Sequence, residues 1–157
     1  MIENVLFICT GNTCRSAMAE AILRDMLQKD GIIDVTVDSQ GIVGSSSLQV
    51  PPVVIKLMGD NGIDMSNHLS SPLTEEAMKD ADLILVMEHM HRERVVELFP
   101  SAKDKTFLLK EYTLGAFEAT GNDMEIPDPI GQSDEVYQNC AHEIEGYLKK
   151  LIIKLKG

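Results

Sequence analysis

The chain has 157 residues, 44% hydrophobic, 4% aromatic and 25% charged, which suits one domain with a full core and leaves no room for a second. Twenty-five acidic residues against fourteen Lys and Arg give a net charge of −11, which argues against nucleic acid and anionic membranes as partners and repels phosphorylated substrates at long range. Three cysteines without metal-type pairing, and a start at Met1-Ile2-Glu3-Asn4 with neither a basic leader nor a long apolar run, fit a reducing, cytoplasmic setting better than a disulfide framework, a secreted chain or a membrane span.

Apolar runs bounded by turn residues then alternate with helical periodicity, the pattern of an α/β domain over 1–157. A first strand, Val5-Leu6-Phe7-Ile8, ends at Cys9. After a short loop, Arg15 and Ser16 open a helix with Met18, Ala21, Ile22 and Met26 on one face, which stops before Asp30-Gly31. Val35 and Val37 mark a second strand ending near Ser39, and a loop rich in Gly and Ser follows through Ser47. Pro51 and Pro52 open a helix whose Val54, Ile55, Leu57 and Met58 face the core until Gly62 breaks it. Thr74 caps a short helix, Leu83 to Met87 form a third strand, and a further helix carries Val95, Val96, Leu98 and Phe99 as far as Pro100. Thr106 to Leu109 read as a fourth strand, a long loop leads to Asp128-Pro129, and Val136, Cys140, Ile144, Leu148, Leu151 and Leu155 trace the stripe of a long C-terminal helix.

Four parallel strands with crossover helices predict a doubly wound sheet in the order 2-1-3-4 with helices on both faces. Ligands of such sheets bind beyond the carboxyl ends of the strands at the switch point, here between the first and third strands. Cys9, the Ser39 to Ser47 loop, the Glu88 to His91 turn and the loop leading to Asp128 all fall at that edge.

The stretch with most chemical content is Cys9-Thr10-Gly11-Asn12-Thr13-Cys14-Arg15-Ser16. A cysteine leaving a buried strand, a loop, then an arginine and a serine opening a helix is an arrangement for holding a phosphate against a thiolate. Loop N–H groups and the positive end of the helix converge on an anion, and Arg15 adds a planar fork matching two phosphate oxygens. The same field favours the thiolate of Cys9 as nucleophile. Gly11 and Asn12 tolerate positive φ, which lets the loop curl, and Ser16 can donate its hydroxyl to the sulfur. Without the lysine and spacing of a Walker A loop, this is no nucleotide-binding motif. No metal or cofactor is called for. His89 and His91, spaced i, i+2, do not share a helix face as a metal pair would and are expected at the mouth of the site.

These eight residues resemble the phosphate-binding loop of the low-molecular-weight protein tyrosine phosphatase family, and Asp128-Pro129 resembles its general-acid loop; the resemblance extends over essentially the whole chain. It implies a hydrolase in which Cys9 forms a cysteinyl-phosphate, Arg15 and the loop residues Thr10, Gly11, Asn12, Thr13, Cys14 and Ser16 bind the phosphoryl group, and Asp128 serves as general acid and then base. His68 matches a family histidine that braces the loop asparagine, here Asn12, and Ser39 joins that network; a plain surface histidine is the alternative. For Asp128 the alternative is an Asp-Pro turn initiator.

Departures from the tyrosine-phosphatase pattern bear on substrate. Thr10 stands in place of an aliphatic residue, Ile130 and Gly131 in place of aromatics, Ser71 in place of arginine and Gln40 in place of alanine. Thr10, Ser70-Ser71-Pro72-Leu73-Thr74 and Lys110-Glu111-Tyr112 are similar to the bacterial protein arginine phosphatase branch. A phosphotyrosine ring wants apolar walls, whereas a phosphoarginine leaving group offers N–H donors to a polar wall. Thr10 and Ile130 are thus expected to select phosphoarginine on proteins over phosphotyrosine, unless Thr10 merely caps a loop hydrogen bond. A phosphocysteine carrier, or a redox or anion-binding module, is the reading from another class. Cys14 is either a thiol able to capture a sulfenic acid on Cys9 or a small core residue, and Cys140 is core. The sequence leaves the oligomeric state open.

Overall fold

A computed structural model describes residues 1–114 and 123–157; the stretch of the predicted long loop over 115–122 lies outside the described residues. Strands β1 (Asn4–Cys9), β2 (Thr36–Gly41), β3 (Leu83–Val86) and β4 (Thr106–Leu108) form one parallel sheet in the order β2-β1-β3-β4, as expected. Both faces are covered, so β1 and β3 read as unbroken apolar runs rather than as alternation. Val5, Phe7, Cys9, Leu83 and Leu85 pack with helices α1 (Arg15–Lys29), α2 (Pro52–Asp60) and α6 (Asp134–Lys156). Leu6, Ile8, Ile84 and Val86 face α3 (Glu75–Asp80), α4 (His89–Leu98) and the 3₁₀ turn Pro100–Lys105.

Several expected details shift. The sequence reading has no counterpart for the 3₁₀ turn or for α5 (Leu109–Thr113), and Leu109 leaves the predicted fourth strand to begin α5. At six and five residues both are too short for a 3.6-residue period to show. Leu98 closes α4 as an exposed residue, because the helix packs through His91 and Val95. Val136 is likewise exposed and Tyr137 takes its place on the buried stripe of α6. Helix α1 is buried between the sheet and α6, so Ala17, Ala19, Leu23 and Leu27 join Met18 and Ile22 in the core while Ala21 and Met26 lie at its margin. Thr74 does cap α3, accepting a hydrogen bond from the Ala77 N–H at 3.2 Å. No helix among the described residues is long and apolar enough to cross a membrane.

Candidate active site

The loop from Thr10 to Cys14 connects the carboxyl end of β1 to the N-terminus of α1, so the unpaired N–H groups of the first helical turn face the sulfur of Cys9. The Ser16 N–H lies 3.4 Å from Cys9 Sγ and the Ser16 hydroxyl 2.9 Å from it. Once Cys9 is a thiolate, the only proton available between those two side chains is that of Ser16, which then donates to sulfur.

The curl of the loop centres on Asn12, at φ 56° the only non-glycine residue with positive φ among the described residues. Its amide Nδ2 donates to Ser16 Oγ at 2.9 Å and Ser39 Oγ at 2.8 Å, its Oδ1 accepts the Ser71 N–H at 3.0 Å, and its carbonyl lies 2.8 Å from His68 Nε2. A left-handed conformation costs an L-residue about 1–2 kcal/mol, and three side-chain bonds at about 1 kcal/mol each offset it. Ser39 and His68, the two residues the resemblance adds to the loop, thus both contact Asn12. The network runs outward through Ser39 Oγ, which donates to Glu20 Oε1 at 2.7 Å, and Arg24, 2.7 Å from Glu20 Oε2.

The 41–44 segment runs beside the loop. Ile42 and Val43 donate their N–H groups to the carbonyls of Cys9 and Thr10 at 3.0 and 2.9 Å, and Ser70 Oγ donates to the Gly11 carbonyl at 2.7 Å. Gly41 permits this approach: a Cβ there would lie 2.7 Å from Thr10 O and 2.8 Å from Asn12 N, both backbone atoms that cannot step aside. Gln40 exchanges two hydrogen bonds of 3.1 Å with Thr74, which ties the Ser70–Thr74 segment to β2.

On the opposite flank, Arg15 is 1% exposed, with Nη1 2.5 Å from Glu88 Oε2 and 2.8 Å from the Ile126 carbonyl and Nη2 3.5 Å from Asp128 Oδ2. Burial works against the guanidinium charge, but the Glu88 hydrogen bond and the neighbouring charges of Cys9, Asp128 and Glu88 outweigh it and raise the pKa of Arg15 above its ordinary value. Ile126 is pinned to the end of β3 by its N–H to the Met87 carbonyl at 2.9 Å, and Lys110 Nζ reaches the carbonyls of Asp123 and Glu125 at 3.1 and 3.2 Å. Those anchors carry Asp128 to the mouth of the site. Asp128 Oδ1 accepts the Ile130 N–H at 3.1 Å, so Asp128 does shape a turn, while Oδ2 faces Arg15. Cys9, Thr13, Leu48, Asp128, Ile130 and Tyr137 line a cleft of about 300 Å³ between the two flanks.

The two loop threonines differ. Thr10 Oγ1 lies 2.9 Å from His91 Nε2 and 3.5 Å from Arg15 Nη2, whereas the Thr13 hydroxyl has no hydrogen-bond partner among the described residues; both residues line the cleft. His91, expected at the mouth, is fully buried behind the loop, and His89 is exposed. Motif reading misses Ile126, Glu20 and Gly41, and gives Glu88 and His91 only a place at the active edge, not their partners. Only the Glu88-x-x-His91 spacing had a signal: the two residues cap α4 reciprocally, like a Ser-x-x-Glu box with other residue types. Cys14 is buried, and its interaction with the Cys140 thiol of α6, with burial, pushes its own thiol above the usual range.

Comparison with known proteins agrees with this geometry. The family described as low molecular weight phosphotyrosine protein phosphatase matches residues 4–157. A protein-arginine-phosphatase of Bacillus subtilis strain 168 is 39% identical over 153 residues, 98% of this chain and 97% of its own. The low molecular weight protein-tyrosine-phosphatase Ptp of Acinetobacter johnsonii is 36% identical over 135 residues, 86% of this chain and 84% of its own. The crystal structure of a YwlE mutant from Bacillus subtilis superposes with a TM-score of 0.88 at 38% identity, covering 98% of this chain and 99% of that one.

Proposed function

The chain belongs to the low molecular weight phosphotyrosine protein phosphatase family, and from that premise we propose that it hydrolyses phosphoarginine on proteins through a cysteinyl-phosphate. The observation that carries the substrate assignment is the wall of the cleft: Thr13, whose hydroxyl has no partner among the described residues, and Asp128 line it, and Ile130, not an aromatic ring, follows Asp128-Pro129. Full-length likeness to a protein-arginine-phosphatase points the same way.

In this reading Cys9 attacks phosphorus in line while the loop N–H groups and Arg15 hold the equatorial oxygens. The P–N bond breaks as Asp128 gives its proton to the departing guanidine nitrogen. Asp128 then takes a proton from the water that hydrolyses the S–P bond, releasing phosphate and the Cys9 thiolate. Thr13 Oγ1 can accept from guanidinium N–H groups; Thr10, which also lines the cleft and whose oxygen already faces His91 and Arg15, and Ile130 contribute to selection beside it. Three free cysteines fit a reducing, cytoplasmic setting, one domain over 1–157 suffices for the chemistry, and the partners are phosphorylated proteins.

Side-by-side turnover of phosphoarginine and phosphotyrosine peptides tests the assignment. Preference for phosphoarginine is expected; preference for phosphotyrosine would return the chain to the tyrosine-phosphatase reading, which Tyr137 in the cleft wall and the Acinetobacter relative favour.

A further inference from the structure

His91 is fully buried, touches neither Cys9 nor the cleft, and has no part in the chemistry described above. Both its ring nitrogens are engaged. Nδ1 lies 3.0 Å from the Glu88 backbone nitrogen, a group that can only donate, so Nδ1 carries the lone pair and the ring proton is on Nε2. Nε2–H therefore donates to Thr10 Oγ1 at 2.9 Å, well inside the 3.8 Å that separates it from Glu88 Oε2. Arg15 Nη2 makes a longer contact, 3.5 Å, with the same oxygen. With both lone pairs of Thr10 Oγ1 facing donors, its own O–H has to point elsewhere, and Thr10 borders the cleft beside Cys9.

We propose that His91 is a positioning residue for phosphoryl transfer: through its bond to Thr10 Oγ1 it turns the Thr10 hydroxyl into a fixed donor aimed at the phosphoryl oxygens. This rests on the phosphatase reading and adds to the loop a donor that does not come from its backbone. The chemistry suits the position. A hydroxyl left free to rotate presents a lone pair to an anion as readily as a proton, and a preset donor needs no reorganisation as charge shifts in the transition state. The ring stays neutral in this role: burial, followed by the Arg15 charge, lowers its pKa to about 4. The arrangement is built by the start of α4, where the reciprocal Glu88–His91 cap directs one residue to Arg15 and the other to Thr10.

A double-mutant cycle on the full chain tests it, using Thr10→Val, His91→Phe and the pair, with kcat and KM measured on an aryl phosphate and the affinity for inorganic phosphate measured separately. If His91 acts through Thr10, each single change lowers kcat by about 10- to 100-fold, the double change is no worse than the worse single one, and KM moves little. His91→Gln, which keeps an N–H donor and an acceptor, is expected within a few-fold of wild type and guards against a folding artefact of the phenyl ring. Multiplicative losses in the cycle, or unchanged kcat in His91→Phe, overturn the proposal, as does a loss in His91→Gln equal to that in His91→Phe. Should the wild-type chain hydrolyse no phosphate ester at all, the phosphatase reading fails by itself, and the cycle in phosphate affinity still decides whether His91 and Thr10 act as one unit.

Discussion

On one flank of the phosphate loop Asn12 is held by Ser16, Ser39, Ser71 and His68 at 2.8 to 3.0 Å, through amide, hydroxyl, imidazole and backbone groups. On the other flank Arg15 is held by two carboxylates, Glu88 and Asp128, and one carbonyl. The Asn12 flank is a saturated network with little capacity left for a ligand, and what it determines is shape. The Arg15 flank keeps a buried cation in place before any substrate arrives, so its charge acts on the transition state without a preceding reorganisation. Shape and charge are thus separated across a loop of a few residues, and substitutions on the two flanks have different signatures.

The largest effect belongs to the centre. Cys9→Ser is expected to lower turnover by about 10⁶-fold, the scale seen when a nucleophile is removed, while phosphate or vanadate still binds because the loop and Arg15 remain. Arg15→Ala is expected to lose binding as well as turnover, and titration calorimetry beside steady-state kinetics separates the two. Near-normal turnover in a folded Cys9→Ser protein would end the covalent mechanism.

Next in size is the mouth of the charged flank. Asp128→Asn is expected to cost about 10²- to 10⁴-fold on phosphopeptides and far less on aryl esters whose leaving group needs no proton. An equal loss across leaving groups would reduce Asp128 to its turn with Ile130.

The bracing flank is expected to answer in stability first. Gly41→Ala places a methyl 2.7 Å from Thr10 O, and forcing backbone apart there costs about 1–3 kcal/mol. Urea unfolding measures that loss, accompanied by a raised KM as the loop is displaced. If Gly41→Ala is as stable as wild type and only kcat falls, the division into shape and charge is wrong.

The smallest effect sharpens the comparison within the loop. Thr13→Ile removes the free hydroxyl of a residue lining the cleft and is expected to shift preference from phosphoarginine toward phosphotyrosine by about 1–3 kcal/mol, read as a ratio of kcat/KM values. Thr10→Ile, which breaks the contacts to His91 and Arg15, is expected to lower both activities together. The reverse pattern would put selection at Thr10.

Local chemistry made much of this legible in the chain itself. Strand period, proline and glycine breaks and the Thr74 cap are properties of adjacent residues, and they led to four strands, their order and the main helices. The cysteine loop was legible for the same reason, since Cys9, Ser16 and the first turn of α1 meet within eight residues. Asp128 was found by family resemblance rather than by physics, because 117 positions separate Cys9 from Ile126 with no period to link them, and that segment returns to the site only through tertiary hydrogen bonds such as those of Ile126 to Met87 and Arg15.

What the sequence alone determined is the sheet, and with it the candidate edge and the candidate nucleophile, because each follows from period, spacing and the chemistry of neighbours. The tertiary structure decided which groups hold the loop and which are left for substrate. Glu88 and His91 read only as part of a turn at the active edge until the fold pairs them with Arg15 and Thr10, and the two threonines look alike until one is seen bonded and the other free. A hydrogen bond's direction depends on every other partner of its two atoms, and partners 73 or 81 residues away exist only once the chain has folded.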